Sequence, residues 1–377
     1  MIENISKENK IFIEETYEKL KAKLDVVTVK SRDKIPYSVD ANGEHDDFIV
    51  PENLIWMWTN GFWAGLNWLM YDYTKNEDYM LTAKRSEEYL NGMFEDLFKL
   101  YHDVGFLWHI SAGANYRLTG DEKSLQREYL AAMSLASRYN VNGDFIRAWN
   151  DKHAAGYSII DCMMNLPLLY FIDTKIATDN RFKYIAMRHA DMSMSDHVRE
   201  DGSIYHIVEH SIHEKKVLSY PQGQGYSSES TWSRGQAWAL YGFVLSYIHT
   251  NKDEYLETAK KVSKYFIEKV KETNYFPLSD FDAPKTPVYY DSTAGAIGAC
   301  GLIELYKITK DSYYLDNAIS ILKAMVETWC DFSLDKDYIL PMGRERYHSK
   351  DHKYLIYGDM FFVEAILKLK GSEFLIW

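Results

Sequence analysis

The chain has 377 residues, with 43 basic and 55 acidic side chains and a formal net charge of −12 at pH 7. Such an acidic chain is poorly suited to bind a nucleic-acid backbone or an anionic membrane surface. No apolar run approaches the length of a membrane span, and the first ten residues lack the apolar core of a signal peptide. We therefore expect neither nucleic acid nor membrane as a partner.

The three cysteines, Cys162, Cys300 and Cys330, are odd in number and widely spaced. Their spacing predicts neither a disulfide framework nor a zinc site. No phosphate-binding glycine loop or metal-ligand spacing occurs, so we expect no metal and no cofactor. The expected compartment is a reducing cytoplasm.

Five segments of the chain resemble one another. In each, an apolar helical stretch is followed by a polar turn with a helix N-cap, and then by an amphipathic helix. The turns begin at Thr74, Thr119, Thr178, Thr250 and Thr309. No linker or low-complexity segment interrupts the repeat. The sequence therefore predicts a single domain over residues 1–377.

The apolar stretches are rich in glycine, alanine and aromatic residues. They are 58–73, 105–118, 161–172, 235–249 and 292–308. A first helix near 11–23 and a last near 358–370 complete six helix pairs. The amphipathic members should lie outside and the apolar members inside, which predicts an all-α (α/α)6 barrel. An open solenoid is the alternative, and residues 202–208 predict a short hairpin.

One rim of this barrel should carry nearly all the irregular chain. The long connections into the inner helices are 24–55, 94–104, 139–160, 198–233, 272–290 and 330–356. Function usually lies on such loops. The inner helices also begin at this rim, where their partial positive charge favours an anionic ligand.

Asp161 is the strongest candidate for a catalytic residue because the residues around it, 159–164, are otherwise apolar. An apolar environment raises the pKa of a carboxyl group, which suits a general acid. The alternative is an N-cap, since Pro167 suits a first helical turn. Asp103 is a second candidate, with an ordinary N-cap as the alternative.

Other side chains at the rim suit sugar binding. Arg234 and Trp238 lie one turn apart, where they can hold a carboxylate and stack on a sugar ring, or form a structural cation–π pair. The Gly-punctuated loop 220–226 offers amide side chains. The loop before the last helix is basic, and it is either solvated or in contact with an anionic sugar. Its basic residues are Arg344, Arg346, His348, Lys350, His352 and Lys353.

Together these segments resemble the unsaturated glucuronyl hydrolases, glycoside hydrolase family 88. The resemblance extends along the chain and rests on WTNGFWAG, HDVGF, IIDCMMNLPLLY, the glutamine-glycine loop and TWSRGQAWALYG, in this order. It implies an (α/α)6 barrel and a cytoplasmic enzyme without a cofactor. Its substrates would be acidic oligosaccharides with the 4-deoxy-4-enuronate ends that polysaccharide lyases leave.

The resemblance also implies roles for individual residues. Asp161 matches the acid/base aspartate of the family, and Asp103 matches its second active-site aspartate. Residues similar to its sugar-contacting residues are Trp58, His206, Gln224, Arg234 and Trp238. Gln222 and Ser349 are added from neighbouring loops. Members that favour sulfated substrates carry Ser-x-x-Ser-x-Lys, which residues 348–353 match only in part.

The implied reaction is hydration of the C4=C5 vinyl ether. Asp161 would protonate C4 while water adds at C5, and would then accept a proton from that water. The resulting hemiketal opens and the glycosidic link breaks. Because C1 is not attacked, the carboxylate separation that sorts retaining from inverting enzymes does not apply.

Three alternatives stay open. An unsaturated rhamnogalacturonyl hydrolase shares the fold and chemistry but acts on pectin fragments. A sugar epimerase on the same barrel would have paired histidines in the mouth. A helical-repeat scaffold for protein partners would have an open groove. We expect the protein to be a monomer or a homodimer. The sequence does not identify the sugar next to the cleaved bond.

Overall fold

The computed structural model describes residues 2, 5–47, 54–177 and 179–377. Over these residues the fold is all-α, with an inner and an outer ring of helices and two small sheets among the loops. Residues 48–53 of the first long connection and Thr178 of the third repeat lie outside the described residues. None of the helices in the described ranges has the length and apolar character needed to cross a membrane.

The helices follow one another with short turns between inner and outer members. In chain order the α-helices are α1 (Lys7–Lys30), α2 (Phe62–Thr74), α3 (Glu77–Leu90), α4 (Val104–Trp108), α5 (Ala114–Thr119), α6 (Glu122–Ala136), α7 (Leu166–Ile172), α8 (Arg181–Asp196), α9 (Ser233–Thr250), α10 (Asp253–Lys271), α11 (Ser292–Thr309), α12 (Ser312–Thr328) and α13 (Ile356–Lys370). Two π-helical turns extend them, His109–Gly113 and Asp173–Ala177. The short 3-10 helices are Trp58–Gly61, Asn91–Glu95, Leu97–Lys99, Lys152–Ala154 and Ile160–Asn165.

The inner helices form a closed ring. They are α2, α4 with α5, α7, α9, α11 and α13, and each packs against the next. The ring closes because α13 also packs against α2, so the barrel prediction is confirmed and the open solenoid is excluded. Small residues make the close packing possible: a Cβ on Gly301 of α11 would lie 2.0 Å from Leu240 Cδ2 of α9.

Four of the repeated threonines, Thr74, Thr119, Thr250 and Thr309, end inner helices. The predicted N-caps of the outer helices follow in the same turns, as with Asn76, Asp121 and Asp311. The hydroxyl of Thr250 donates to the Ser246 carbonyl at 2.6 Å and accepts from the Lys252 amide at 3.2 Å. The next residue, Asn251, is left-handed at φ 55° and stops the helix. Thr309 makes the same two bonds. The repeat in the sequence is therefore a repeated helix stop.

Two predicted elements differ from the structure. The first helix is longer than 11–23 because the hydroxyl of Ser6 accepts the Asn9 amide at 3.2 Å and caps an earlier start. The predicted hairpin is shifted along the chain, and the strands are β1 (Tyr139–Asn140), β2 (Phe145–Ile146), β3 (Tyr157–Ile159), β4 (Ile207–His210) and β5 (Val217–Ser219). Strand β4 pairs antiparallel with both β3 and β5. Residues 202–206 form the loop that leads into it.

Candidate active site

A cavity of about 170 Å³ opens at the rim where the inner helices begin. Its walls come from three of the long connections and from the first residues of helices at this rim. The residues around it are Trp58, Tyr101, His102, Asp103, Trp149, Ile159, Asp161, Gln224, Trp232 and Arg234. A larger cavity of about 260 Å³ lies beside β5, but its charged residues pair with one another, as in Arg188 with Asp144.

Asp161 lies in the 3-10 helix that precedes α7, and its side chain caps no helix. Its apolar neighbours Cys162 and Met163 are buried in the core, whereas 13% of the Asp161 side chain is exposed. Burial raises the pKa of the Cys162 thiol well above its usual range, so this thiol is unreactive. Because the Asp161 side chain caps no helix, the N-cap alternative for Asp161 is excluded.

His206 lies directly behind Asp161 and is oriented by a backbone amide. Its Nε2 is 3.3 Å from Asp161 Oδ1, and its Nδ1 accepts the Gln224 amide at 3.0 Å. Because an amide can only donate, Nδ1 is the acceptor and Nε2 carries the hydrogen. Neither Nε2 nor Oδ1 has a hydrogen-bond partner among the described residues. The hydrogen on Nε2 therefore lies near Asp161 Oδ1 without forming a hydrogen bond to it.

A glycine allows the loop to reach His206. A Cβ on Gly223 would lie 2.1 Å from His206 Nδ1, a distance that a side chain cannot adopt. The loop is also held from its other side, because the Gln224 side chain donates to the Glu345 carbonyl at 2.7 Å. The Tyr347 amide donates to the Gln224 carbonyl at 2.7 Å. The basic loop thus supports the glutamine-glycine loop, which contributes Gln224 to the cavity lining.

Asp103 precedes α4, but its side chain does not cap that helix. Its Oδ1 lies 3.1 Å from His102 Nε2 and accepts a long hydrogen bond of 3.5 Å from Asn165 Nδ2. Asn165 also bonds the Asp161 carbonyl at 3.4 Å and the Phe106 amide at 2.9 Å. One asparagine thereby connects the segments that carry both carboxylates. Asp103 occupies the N-cap position of α4, but its side chain does not serve as the cap.

Arg234 is buried in the wall of the cavity, at 1% exposure. Its guanidinium forms an ion pair with Asp291 and donates to the carbonyls of Arg344 at 2.8 Å and Glu345 at 2.7 Å. The predicted pairing with Trp238 is wrong. The guanidinium lies over Trp232 instead, 4.5 Å from its ring centroid, because Asp291 and the 344–345 loop draw it to that side.

None of the protein-family models matches the chain. Curated relatives do match it over most of its length. An unsaturated glucuronyl hydrolase from Bacillus sp. strain GL1 is 32% identical over 92% of this chain and 94% of its own length. An unsaturated chondroitin disaccharide hydrolase from Streptococcus agalactiae is 31% identical over 85% of this chain and 83% of its own.

This chain belongs to the unsaturated glucuronyl hydrolases.

It is therefore a glycoside hydrolase. The crystal structure of the Bacillus sp. GL1 unsaturated glucuronyl hydrolase superposes with a TM-score of 0.86 at 30% identity, covering 94% of this chain and 97% of the other. An aspartate-to-asparagine variant of the S. agalactiae unsaturated glucuronyl hydrolase, complexed with dGlcA-GalNAc6S, has a TM-score of 0.80 at 27% identity and covers 98% and 94%. The resemblance seen in the sequence motifs is thus confirmed.

Five of the residues predicted from the unsaturated glucuronyl hydrolase resemblance line the cavity, and His206 lies directly behind it. The five are Trp58, Asp103, Asp161, Gln224 and Arg234. Trp238 is fully buried in the core against Phe106. The Gln222 side chain folds back to donate to the Gly225 carbonyl at 3.0 Å. The carbonyl of Ser349 binds Arg344, away from the cavity lining.

Half of the cavity lining was not predicted. The missed residues are Tyr101, His102, Trp149, Ile159 and Trp232. Tyr101 and His102 adjoin Asp103, and Ile159 lies two residues before Asp161, so proximity to the candidates carried a signal for them. No such sequence signal pointed to Trp149, because it reaches the cavity only through the fold of the 137–156 connection.

Among the described residues no group of three or more His, Cys, Asp or Glu side chains has the arrangement of a metal site.

Proposed function

We propose that this hydrolase removes a 4,5-unsaturated uronic acid from the non-reducing end of a glycosaminoglycan-type oligosaccharide. The observation that carries the proposal is that Asp161 and Asp103 share one small cavity with Trp58, in the fold of the unsaturated glucuronyl hydrolases. A volume of about 170 Å³ is below the range of roughly 300–1,000 Å³ typical for drug-sized ligands. It suits one sugar ring at a chain end.

Asp161 is the acid and base of the proposed reaction. Its Oδ1 is buried 3.3 Å from His206 Nε2, which leaves Oδ2 as the oxygen that can face a sugar. The proton on Oδ2 passes to C4 of the enuronate as water adds to C5, and the carboxylate then accepts a proton from that water. The hemiketal at C5 opens and the aglycone is released.

The remaining wall binds and orients the ring. Trp58, packed against Tyr357 at 4.7 Å between centroids, offers an aromatic face for a sugar. Asp103 and Gln224 offer polar groups for hydroxyls. Because Arg234 is already paired with Asp291, it acts mainly by holding the wall. Trp238, Gln222 and Ser349 would act from outside the cavity if they contribute to binding.

A sulfate group on the adjacent sugar is not expected to be favoured. Of the family pattern in residues 348–353, this chain keeps the lysine, Lys353, and has Asp351 where the second serine would be. Lys353 is 2.7 Å from the Glu345 carboxylate, so its charge is already compensated. An exposed carboxylate at Asp351 would repel a sulfate.

The test is to replace Asp161 by Asn and follow the ultraviolet absorbance of the enuronate with unsaturated disaccharides from hyaluronan, chondroitin, heparin and pectin. Wild-type protein should consume at least one of the first three, and the variant should lose the activity with its fold intact. Asp179→Asn, at an exposed surface pair, is the control and should behave like wild type. Near-normal turnover by the Asp161→Asn protein would refute its role.

The same panel separates the alternatives. Consumption of pectin disaccharide alone would favour an unsaturated rhamnogalacturonyl hydrolase. Two histidines do lie near the cavity, as an epimerase would need, but each faces a carboxylate at 3.1–3.3 Å and the relatives are hydrolases. A protein scaffold is disfavoured because the cavity is too small for a protein segment.

We also propose a single catalytic domain over residues 1–377, a cytoplasmic location, and a monomer or homodimer that needs no cofactor. The closed inner ring, to which both halves of the chain contribute, supports one domain. The free cysteines, two of them buried, are compatible with a reducing compartment. Cell fractionation and light scattering on the purified protein would test location and oligomeric state.

A further inference from the structure

Arg138 lies behind one wall of the cavity and joins two of the connections that form it. Its Nη1 donates to the Leu100 carbonyl at 3.2 Å, directly before Tyr101 of the lining. Its Nη2 donates to the Ala148 carbonyl at 3.2 Å, directly before Trp149 of the lining. A guanidinium carries its N–H donors in a rigid, planar fork. Arg138 therefore fixes the separation between the parts of the wall that carry Tyr101 and Trp149.

A second arginine binds the same turn of the chain. Arg147 Nη2 donates to the carbonyls of Asn150 at 2.9 Å and Asp151 at 2.6 Å. Arg138 in turn donates to the Arg147 carbonyl at 2.8 Å and to Asn150 Oδ1 at 2.7 Å. Every acceptor of these two guanidinium groups is a carbonyl or amide oxygen, and within the described part of the chain neither group pairs with a carboxylate. Their positive charges are therefore not cancelled in place.

The ionised side chains of the cavity lining do not by themselves favour an anion. Asp103 and Asp161 are its carboxylates, and the charge of Arg234 is cancelled by the ion pair with Asp291. An enuronate that enters adds a further negative charge. Its approach to two carboxylates is unfavourable unless positive charge lies nearby.

The charge of Arg138 acts on the cavity from behind the wall. The Ala148 carbonyl that accepts Arg138 also lies 2.8 Å from Nδ1 of His102, a residue of the lining. Burial, together with the charge of Arg147, lowers the pKa of Arg138 to about 10, and the Asp103 carboxylate opposes this shift. At neutral pH the guanidinium therefore keeps its charge, and that charge interacts with a carboxylate of the cavity.

We propose that Arg138 determines the preference of the cavity for an acidic sugar. Its uncompensated charge, reinforced by Arg147, attracts the carboxylate of the enuronate, and its hydrogen bonds hold Tyr101 and Trp149 in place. Arg138 is thus a positioning residue that acts through the wall and through its electric field, without touching the sugar. The choice of ligand rests on the proposed function.

The test is the affinity of the unsaturated hyaluronan disaccharide for the Asp161→Asn protein, measured by calorimetry so that turnover does not intervene. Adding Arg138→Met should raise Kd by about tenfold at low salt. Adding Arg138→Lys, which keeps the charge but cannot span both connections, should raise Kd by about threefold or less. An equal loss of affinity in the Met and Lys variants would overturn the charge role.

Salt separates an electrostatic effect from a structural one. Sodium chloride at about 0.5 M screens charges around a cavity that is open to solvent, so the difference in Kd between Arg138→Met and its parent should shrink. A difference that stays constant with salt would overturn the proposal. Arg147→Met should show a smaller loss with the same salt dependence, and it serves as the test if Arg138→Met does not fold. Arg181→Met, which removes an exposed pair with Asp179, is the control and should leave Kd unchanged.

Failure of the proposed function gives a different result. Wild-type protein would then consume none of the unsaturated disaccharides, while the affinities of the Arg138 variants would still decide whether this charge attracts an acidic sugar. Absence of binding to the Asp161→Asn protein at low salt would overturn the present proposal, whatever the turnover by wild type.

Discussion

At the scale of single residues, the geometry of the cavity depends on the close approach of a loop to the His206 ring. Gly223 has no Cβ, and this alone lets the Gln224 amide reach Nδ1 of His206 at 3.0 Å. That bond fixes the tautomer and leaves the hydrogen on Nε2, 3.3 Å from Asp161 Oδ1. A glycine outside the cavity lining thereby positions the histidine beside the proposed catalytic carboxylate.

Replacing Gly223 by Ala tests this chain of contacts. The new methyl group must displace the loop or the imidazole, so we expect kcat/KM to fall by about 100-fold, the loss typical when a supporting contact moves a catalytic group. Thermal stability should change little because the loop is at the surface.

Gly120→Ala is the matched control. Gly120 has φ 77° and no atom within 4 Å of an added Cβ, so alanine there should lower the free energy of unfolding by about 1 kcal/mol without changing kcat/KM. Normal activity of the Gly223→Ala protein would mean that His206 does not need this amide.

At the scale of elements, Arg234 joins parts of the chain that are distant in sequence. It lies in the first turn of α9, pairs with Asp291 at the start of α11, and binds the carbonyls of residues 344 and 345. Asp291 in turn caps α11 by accepting the Thr293 amide at 3.1 Å. The Asp291 carboxylate is thus both a helix cap and an ion-pair partner.

Replacing Arg234 by Met should therefore destabilise the barrel, since it leaves the Asp291 carboxylate buried without its cation. We expect the free energy of unfolding to fall by about 3–5 kcal/mol, measured by urea titration. Lys264→Met removes an exposed pair with Glu268 and should have no measurable effect. A similarly small change for both variants would contradict a structural role for the buried pair.

At the scale of the whole molecule, the closed ring buries ionisable groups where helices meet. Glu128 of the outer helix α6 is fully buried, and its Oε1 lies 2.6 Å from His109 Nδ1 in the inner ring. Burial raises the pKa of Glu128 from 4.5 to about 8. The native state thus binds a proton between these values that the unfolded chain releases.

This difference in proton binding has a definite sign. Because the native state binds the extra proton, the contribution of Glu128 to stability is lost as pH rises from 4.5 to about 8. Glu128→Gln cannot titrate, so its stability should fall less than that of wild type between pH 5 and 8 in urea titrations. Glu122→Gln, on the surface of the same helix, serves as control. An unchanged pH dependence in Glu128→Gln would contradict the shifted pKa.

The helices and their two rings were predictable because each helix must bury its apolar face, and the period of that face is written along the chain. Pro167 in the first turn of α7 followed the rule for helix starts. The partners of Arg234 were not predictable. The helix period suggested Trp238, four residues away, but the guanidinium lies over Trp232 and against Asp291, 57 residues later in the chain.

The sequence by itself determined the repeat, the inner and outer helices, the family motifs, and the candidacy of Asp161 and Asp103. These follow from local patterns, since caps, helix stops and apolar periods act over a few residues. Only the tertiary structure decided that the inner ring closes. It also placed His206 Nε2 3.3 Å from Asp161 and His102 Nε2 3.1 Å from Asp103. The orientation of the two rings depends on the Gln224 amide and the Ala148 carbonyl, which come from other loops. The group bound to Nδ1 decides which ring nitrogen of each histidine carries the hydrogen.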